Sequence, residues 1–239
     1  MKLHSFPYFS VSHALAVIIF ASCSAHAGVV FSESFEAAVV SGFDDNTVPS
    51  NGKWIGSTAG FGATNRGLYN ETVAWPATPL FTTPFGAQAY YLNYTNSGLT
   101  TAVGATGQTL TAGVSYKVSF HVGVATGTAS GTYQVELVAF SAAETNRTDG
   151  QSTRPGAILA TATGTVTGNT MTTTGQLVFT PAAGNSHLGK DLGIRLIKGT
   201  NSVLYDNIRM VVGHDMNPSP ASGVTIAGGT VPLSWTNMR

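Results

Sequence analysis

The sequence predicts an all-β protein, built as an antiparallel β-sandwich or barrel. Short runs in which apolar and polar residues alternate recur along the chain, and Gly- and Asn-bearing turns separate them. No window of helical periodicity competes over a useful length. Only 9% of the 239 residues are charged, and Gly, Thr, Ala and Ser stand in their place. Such a composition suits short strands and tight turns better than helices.

The N-terminus, residues 1–27, predicts a secretory signal peptide. Lys2 gives it a positive start, residues 14–21 form an apolar core, and Ala25-His26-Ala27 is a small-x-small cleavage site. The apolar run is too short for a transmembrane helix, so we expect no membrane span in the mature chain. Lipid attachment at Cys23 is the alternative, because FASC resembles a bacterial lipobox. Cleavage removes the only cysteine, so we expect a secreted, extracellular or cell-surface protein without disulfides.

The mature chain is predicted to form one domain, residues 28–213, of about eight or nine strands. Its first strand lies in GVVFSESFE, residues 28–36. The stretch 41–85 is rich in Gly, Asn and Pro without clear periodicity, which indicates long loops with short strands. Regular strands are predicted at 87–94, 115–124, 132–140, 157–167, 175–181, 192–199 and 203–212.

The character of the chain changes after this domain. Residues 214–226 are rich in Pro, Ser and Gly and predict a linker, and residues 227–239 resemble the first strand of an immunoglobulin- or fibronectin-like module. A lone strand cannot form its own core. Either it docks on the first domain, or the sequence is a fragment and further domains of the same polypeptide follow; we favour the fragment.

The last predicted strand raises a problem of charge. In VLYDNIRMVV, residues 203–212, Asp206 shares its parity with Leu204, Ile208 and Met210, and therefore the predicted buried face. An ionised carboxylate in apolar surroundings must be protonated, ion-paired or bound to a cation. Its partner must come from elsewhere in a chain that has few charges.

Three groups are candidates for that partner. Arg195 and Arg209 lie on late strands, and Glu36 lies at the end of the first strand. Terminal strands of sandwiches are often neighbours, so Glu36 and Asp206 are expected to approach one another. Two carboxylates with backbone carbonyls are hard oxygen ligands that suit Ca²⁺. Alternatively, Asp206-Asn207 forms an Asx turn, in which backbone N–H groups cap the carboxylate.

Several motifs resemble a known family. SFE (residues 34–36), NGKW (51–54) and YDNIRM (205–210) together resemble a galactose-binding-like jelly roll, similar to the carbohydrate-binding modules of bacterial xylanases and cellulases and to related domains of bacterial secreted proteins. The similarity covers residues 29–212. It implies a jelly-roll β-sandwich whose structural calcium is held by Glu36 and Asp206, with Trp54 in the core. These motifs mark the scaffold and not the sugar site.

The expected ligand is a polysaccharide or glycan. Sugar recognition commonly places an exposed aromatic ring beside amide or hydroxyl groups. Tyr69, Trp75 and Tyr94 lie in polar, loop-like contexts, and Asn70 and Asn93 adjoin the two tyrosines. The formal net charge is zero, with 11 basic and 11 acidic residues, so nothing in the charge attracts nucleic acid.

We therefore expect a secreted, non-catalytic carbohydrate-binding module of a larger extracellular or cell-surface protein. An adhesion or spacer domain is the alternative, favoured by the Thr- and Gly-rich composition. HExxH, GxSxG and phosphate-loop motifs do not occur. For a glycoside hydrolase, a weaker alternative that needs two carboxylates, Glu136 is the best-placed candidate, because it lies on the predicted solvent face of its strand.

Overall fold

The computed structural model describes residues 27–37, 40, 42–45, 48–49, 51–57, 66–71, 79–93, 98–141, 156–214, 224–226 and 229–231. The signal sequence up to residue 26, Cys23, Trp75 and Tyr94 lie outside these ranges. No helix within them is long and apolar enough to span a membrane.

The described residues form fourteen strands. In chain order they are β1 (Gly28–Glu33), β2 (Phe43–Asp45), β3 (Trp54–Ser57), β4 (Arg66–Asn70), β5 (Gln88–Leu92), β6 (Gly98–Thr101), β7 (Val114–Gly123), β8 (Gly131–Ala139), β9 (Ala157–Val166), β10 (Thr173–Phe179), β11 (Leu192–Lys198), β12 (Val203–His214), β13 (Val224–Ile226) and β14 (Gly229–Val231). The predicted regular strands are present, and the stretch 41–85 contributes the short strands β2, β3 and β4.

The strands make two main antiparallel sheets. The seven-stranded sheet has the order β10-β7-β12-β5-β4-β2, and β1 pairs with the C-terminal half of β12. The five-stranded sheet has the order β3-β6-β11-β8-β9. The first and the last strand of the sandwich are therefore neighbours, as expected. The all-β antiparallel sandwich is confirmed.

The core lies between the inner faces of the two sheets. Alternate residues of each long strand point into it, which is the period that the sequence shows. Trp54 belongs to this core with 4% of its surface exposed, as the family resemblance implies. The inner residues of the central strands are Tyr116, Val118, Phe120 and Val122 of β7, Val135 and Leu137 of β8, and Leu192, Ile194 and Leu196 of β11.

Strand β12 contains a β-bulge that changes which face each residue occupies. Asp206 lies opposite His121, but Arg209 lies opposite Ser119, so β12 has one residue more than β7 over this interval. Asn207 lies within the bulge and has a left-handed backbone conformation, with a φ of 48°.

The expectation that Leu204, Asp206, Ile208 and Met210 share one face is therefore wrong. Ile208 and Met210 point into the main core, whereas Leu204 belongs to a second cluster on the outer side of the sheet. Asp206, before the bulge, lies on that outer side with Leu204, because the extra residue reverses the alternation.

A segment of chain, residues 79–87, covers this part of the outer face. Phe81 and Met171 are fully buried there with Leu204, Tyr69 and Tyr91. Backbone hydrogen bonds hold the segment on neighbouring loops; the Met171 N–H donates to the Thr82 carbonyl at 2.8 Å. Leu204 and Asp206 are therefore buried although they point away from the main core.

Strands β13 and β14 form a separate antiparallel hairpin, with Val224 opposite Val231. The predicted boundary between the linker and the following module, at 226/227, comes directly after the last residue of β13.

The bulge predicts a specific tolerance at Asn207. Asn207→Gly keeps the left-handed conformation available and should change stability little. Asn207→Val places a β-branched residue there and should cost about 1–2 kcal/mol more than the glycine variant. Urea unfolding of the two variants measures the difference. Equal midpoints would contradict the left-handed bulge.

Candidate functional site

Asp206 lies at the bulge with no exposed surface. Its Oδ2 accepts a hydrogen bond from the Thr83 hydroxyl at 2.6 Å, and its Oδ1 accepts one from the Asn207 N–H at 2.6 Å. The N–H of the next residue therefore caps the carboxylate, but this contact is one residue too short for the Asx turn that the sequence offered as an alternative. Thr83 comes from the segment 79–87, so this carboxylate joins the last strand to the cover of the sheet.

Glu36 approaches the same region from the end of β1. Its Oε1 accepts hydrogen bonds from the N–H groups of Ala87, at 3.0 Å, and Gln88, at 2.8 Å. No described residue donates to Oε2. Gly86 makes this approach possible: its φ is 142°, and a Cβ there would collide with the Glu36 carboxylate. Phe35, just before, has a φ of 60° and completes the sharp turn.

Glu33 is a third carboxylate nearby that the sequence analysis did not assign to the site. It is 4% exposed and accepts hydrogen bonds from Asn51 Nδ2 at 2.6 Å and Trp54 Nε1 at 3.1 Å. Lys53 Nζ lies 3.8 Å from its Oε2. These contacts explain NGKW as a motif, because three of its four side chains surround one carboxylate. The sequence did contain a signal for this contact, because Glu33 belongs to the motif FSE and its partners belong to the motif NGKW.

The three carboxylates affect one another electrostatically. The pKa of Asp206 is raised to about 7, mainly by burial and to a smaller extent by the charges of Glu36 and Glu33. The hydrogen bonds from Thr83 and Asn207 act in the opposite direction but do not cancel the effect. The charge of Glu36 thus acts on Asp206, and their joint role as metal ligands stays a prediction.

The arginines considered as partners of Asp206 do not take that role. Among the residues that the structure describes, the ion pairs are Lys53–Glu33 and Arg195–Glu136. Arg209 is exposed on the surface of β12. The ionised form of Asp206 thus has hydrogen bonds but no cationic side chain to neutralise it.

The donor set at this point fits a hard cation. Within the described ranges, no group of three or more His, Cys, Asp or Glu side chains is arranged to hold a metal ion. A metal here would therefore be held by Glu36 and Asp206 together with backbone oxygens, which is the mixture that calcium accepts. Oε2 of Glu36 accepts no hydrogen bond from a described residue, and burial, which raises the pKa of Asp206, disfavours its ionised form unless a positive charge lies beside it.

The residues predicted to bind a glycan are placed differently from one another. Tyr69 and Asn70 were expected in loops, but they lie in β4 with 7% and 8% exposure. The ring of Tyr69 packs on Tyr91, with 4.6 Å between centroids. The loop context is wrong for this pair, because they extend a strand and lie in or beside the outer cluster. Asn93 follows β5 directly and is half-buried. The binding role of these residues stays a prediction.

Glu136 was expected on the solvent face of β8, and this is wrong. It points away from the main core but has no exposed surface, and its Oε2 lies 3.1 Å from Arg195 Nε. Gln134 Nε2 donates to its other oxygen. Arg195 lies directly opposite on β11. A carboxylate paired and buried in this way cannot reach a polysaccharide.

Comparison with known proteins identifies relatives of this chain. The model of the HpiC1-like family, described as HpiC1 cyclase, matches residues 29–211. No curated protein matches. An apo-form cyclase from Fischerella sp. is 17% identical with a TM-score of 0.57, covering 79% of this chain and 97% of that one.

Two further solved structures are similar. A cyclase from Fischerella sp. TAU, in complex with 4-(1H-indol-3-yl)butan-2-one, is 18% identical with a TM-score of 0.56, covering 75% of this chain and 93% of that one. The CBM22-1 xylan-binding domain of Paenibacillus barcinonensis Xyn10C is 13% identical with a TM-score of 0.44, covering 78% and 96%.

The similar cyclase structures confirm the predicted jelly-roll β-sandwich fold. At such identities a similar structure shows the fold alone. The family is named for a catalyst, which the expectation of a non-catalytic module did not anticipate. Because the family model spans well over half of the sequence, this chain belongs to the HpiC1-like family.

Proposed function

We propose that this chain is a calcium-stabilised, non-catalytic domain of an exported protein and that it binds a polysaccharide or glycan. The observation that carries the proposal is the convergence of Asp206, Glu36 and Glu33 at the junction of the first and last strands. This convergence gives Asp206, the carboxylate of the described chain with a resolved pKa shift, a structural role. Glu136, the best-placed candidate for hydrolysis, also has a structural role, as the partner of Arg195.

Calcium would act at the point where three parts of the chain meet. Glu36 belongs to the segment after β1, Asp206 to β12, and Thr83 to the covering segment 79–87. When bound, the ion supplies the positive charge that Asp206 lacks. Glu36 and Asp206 would hold it, and Glu33 stays with the NGKW side chains, three of which already satisfy it. Because the unfolded chain does not bring these groups together, binding stabilises the native state.

The calcium proposal predicts a thermal shift. Calcium at about one hundred times its Kd should raise the melting temperature by about 5–10 °C relative to chelator, since mass action contributes about 2.7 kcal/mol. Asp206→Asn should remove the response, because the amide is a weaker, uncharged ligand. Differential scanning fluorimetry gives both numbers.

The matched control is Asp191→Asn, which removes the same charge next to β11 of the other sheet. It should keep the full calcium response. A wild-type melting temperature that is the same in calcium and in chelator would overturn the calcium site.

Glycan binding is supported by the shared fold, by the half-buried Asn93 and by the polar sequence context of Trp75 and Tyr94. Trp75 and Tyr94 lie outside the described residues, and their role rests on the sequence. We expect the mature chain to be retained on an insoluble polysaccharide, and Trp75→Ala or Tyr94→Ala to weaken retention about tenfold, since an aromatic anchor carries a large part of such binding.

Trp235→Ala is the control for the pull-down, because it removes an equivalent ring from the predicted following module. Loss of retention in that variant would contradict the assignment to the 69–94 stretch. If no polysaccharide retains the wild type and the chain self-associates or attaches to host surfaces, the adhesion or spacer alternative replaces the proposal.

A cyclase activity is the second candidate function, favoured by the family model over residues 29–211. A cyclase similar to this chain binds 4-(1H-indol-3-yl)butan-2-one. Isothermal titration of this compound into the mature chain is the direct comparison. Our proposal predicts no saturable heat, whereas micromolar binding would favour an indole-directed enzyme and reject the non-catalytic assignment.

A further inference from the structure

The outer face of the seven-stranded sheet carries a groove on the side away from the covering segment. It crosses strands β10, β7, β12 and β1 and encloses about 570 Å³. We call it the cationic groove and define it by six of its lining residues: Val29, Lys117, Ser119, Thr174, Gln176 and Arg209.

The strand register fixes how these side chains are arranged. Ser119 lies opposite Gln176 on one side and opposite Arg209 on the other, so the three form a row across the sheet. Lys117 is opposite Val211, two residues along β12 from Arg209. Lys117 and Arg209 are therefore diagonal neighbours, a relation that separates Cβ atoms by about 7–8 Å. Both long side chains can reach the same anionic group.

The two cations of the groove are not neutralised within the described part of the chain. The ion pairs described there involve Lys53 and Arg195, and the side chains of Lys117 and Arg209 make no hydrogen bond to a described residue. The positive potential extends along the face: burial, and then the charge of Arg209, lowers the pKa of His121. In a chain with zero net charge, this is a local excess of positive charge.

The groove ends where the covering segment begins. The ring of Phe85 packs on His121 with 3.9 Å between centroids, and Thr83 bonds the buried Asp206 beyond it. The open part thus excludes the carboxylate cluster. Hydroxyl and amide groups lie beside the cations, and Val29 is 56% exposed.

We propose that the cationic groove binds an acidic polysaccharide, whose acid groups pair with Arg209 and Lys117. The inference rests on the proposed glycan-binding function and gives its ligand a chemical class. Arg209 presents a planar fork that matches a carboxylate or sulfate in two hydrogen bonds, and Lys117 adds a point charge. Ser119, Thr174 and Gln176 suit sugar hydroxyls, and the exposed valine suits the apolar face of a ring. A groove that crosses four strands fits an extended chain.

The test is affinity electrophoresis of the mature chain in gels that contain one polymer each. Polygalacturonate presents carboxylates, dextran sulfate presents sulfates, dextran is neutral, and polyglutamate is an acidic polymer without sugar. We expect retardation by at least one acidic polysaccharide and none by dextran. Lys117→Gln/Arg209→Gln should weaken it about tenfold or more, as expected when hydrogen bonds to charged groups are lost.

The matched control is Lys190→Gln/Arg239→Gln, which removes two positive charges but none of the six residues that define the groove, and should leave retardation unchanged. Equal losses in the two double variants would show a net-charge effect and overturn the inference. Retardation by polyglutamate as strong as by the acidic polysaccharides would do the same. The two acidic polysaccharide gels decide which acid group the groove accepts.

The outcomes separate this inference from the proposed function. Neutral polysaccharides that bind as well as acidic ones leave glycan binding intact and reject the groove. Acidic polysaccharides that bind the Lys117→Gln/Arg209→Gln variant unchanged also reject the groove and locate glycan binding elsewhere. Retention by no polysaccharide, neutral or acidic, rejects both.

Discussion

The extra residue in β12 between Asp206 and Arg209 is the constraint on which the arrangement of this domain depends. Without the bulge, strict alternation would carry the outward direction of Asp206 on to Ile208 and Met210 and turn Arg209 into the core. The bulge lets Ile208 and Met210 fill the space between the sheets, and it keeps the guanidinium in water. The left-handed Asn207 is the local cost of this arrangement.

The bulge also explains why the outer face needs a cover. Leu204 and Asp206 both point outward; an exposed Leu204 would leave apolar surface in water, and the cover that removes it also buries Asp206, which then needs partners. The segment 79–87 buries both, and Thr83 supplies the hydroxyl that Asp206 accepts. Glu36 holds the end of the segment in place, because it accepts hydrogen bonds from the Ala87 and Gln88 N–H groups. The carboxylate cluster thus follows from the covering of one irregular strand.

The long strands could be predicted from sequence because the solvent-facing and core-facing residues of β7, β8 and β12 differ in polarity. The positions of the short strands β2, β3, β4 and β6 could not be predicted, since three to five residues contain too few alternations to stand out from a Gly-rich loop. The bulge was invisible for a related reason. One inserted residue leaves the local composition unchanged and reverses only the faces that follow it.

The site was predicted in part. Glu36 and Asp206 were brought together through the adjacency of the terminal strands, but Glu33 was not, because its partners Asn51 and Trp54 are distant in sequence. Glu136 was expected in water because its parity indicates the outer face of β8, and Tyr69 because its neighbours are polar. The outer face of a sheet is exposed only where no other segment of the chain lies on it. The alternation of polar and apolar residues along a strand does not show whether such a segment is present.

Because the chain has few charged residues, the position of each one in the fold is informative. The 22 charged residues sum to zero net charge, so the net charge alone predicts no electrostatic partner. The described structure instead separates the charges: Glu136 and Arg195 neutralise one another, the carboxylates gather at one end of the bulge, and Arg209 stands with Lys117 at the other. Asp206 and Arg209 are three residues apart on the same strand, yet the first is covered and the second open. A strand that holds opposite charges on the two sides of one bulge can bind a cation for stability and an anion for recognition, and the zero net charge of the chain conceals both.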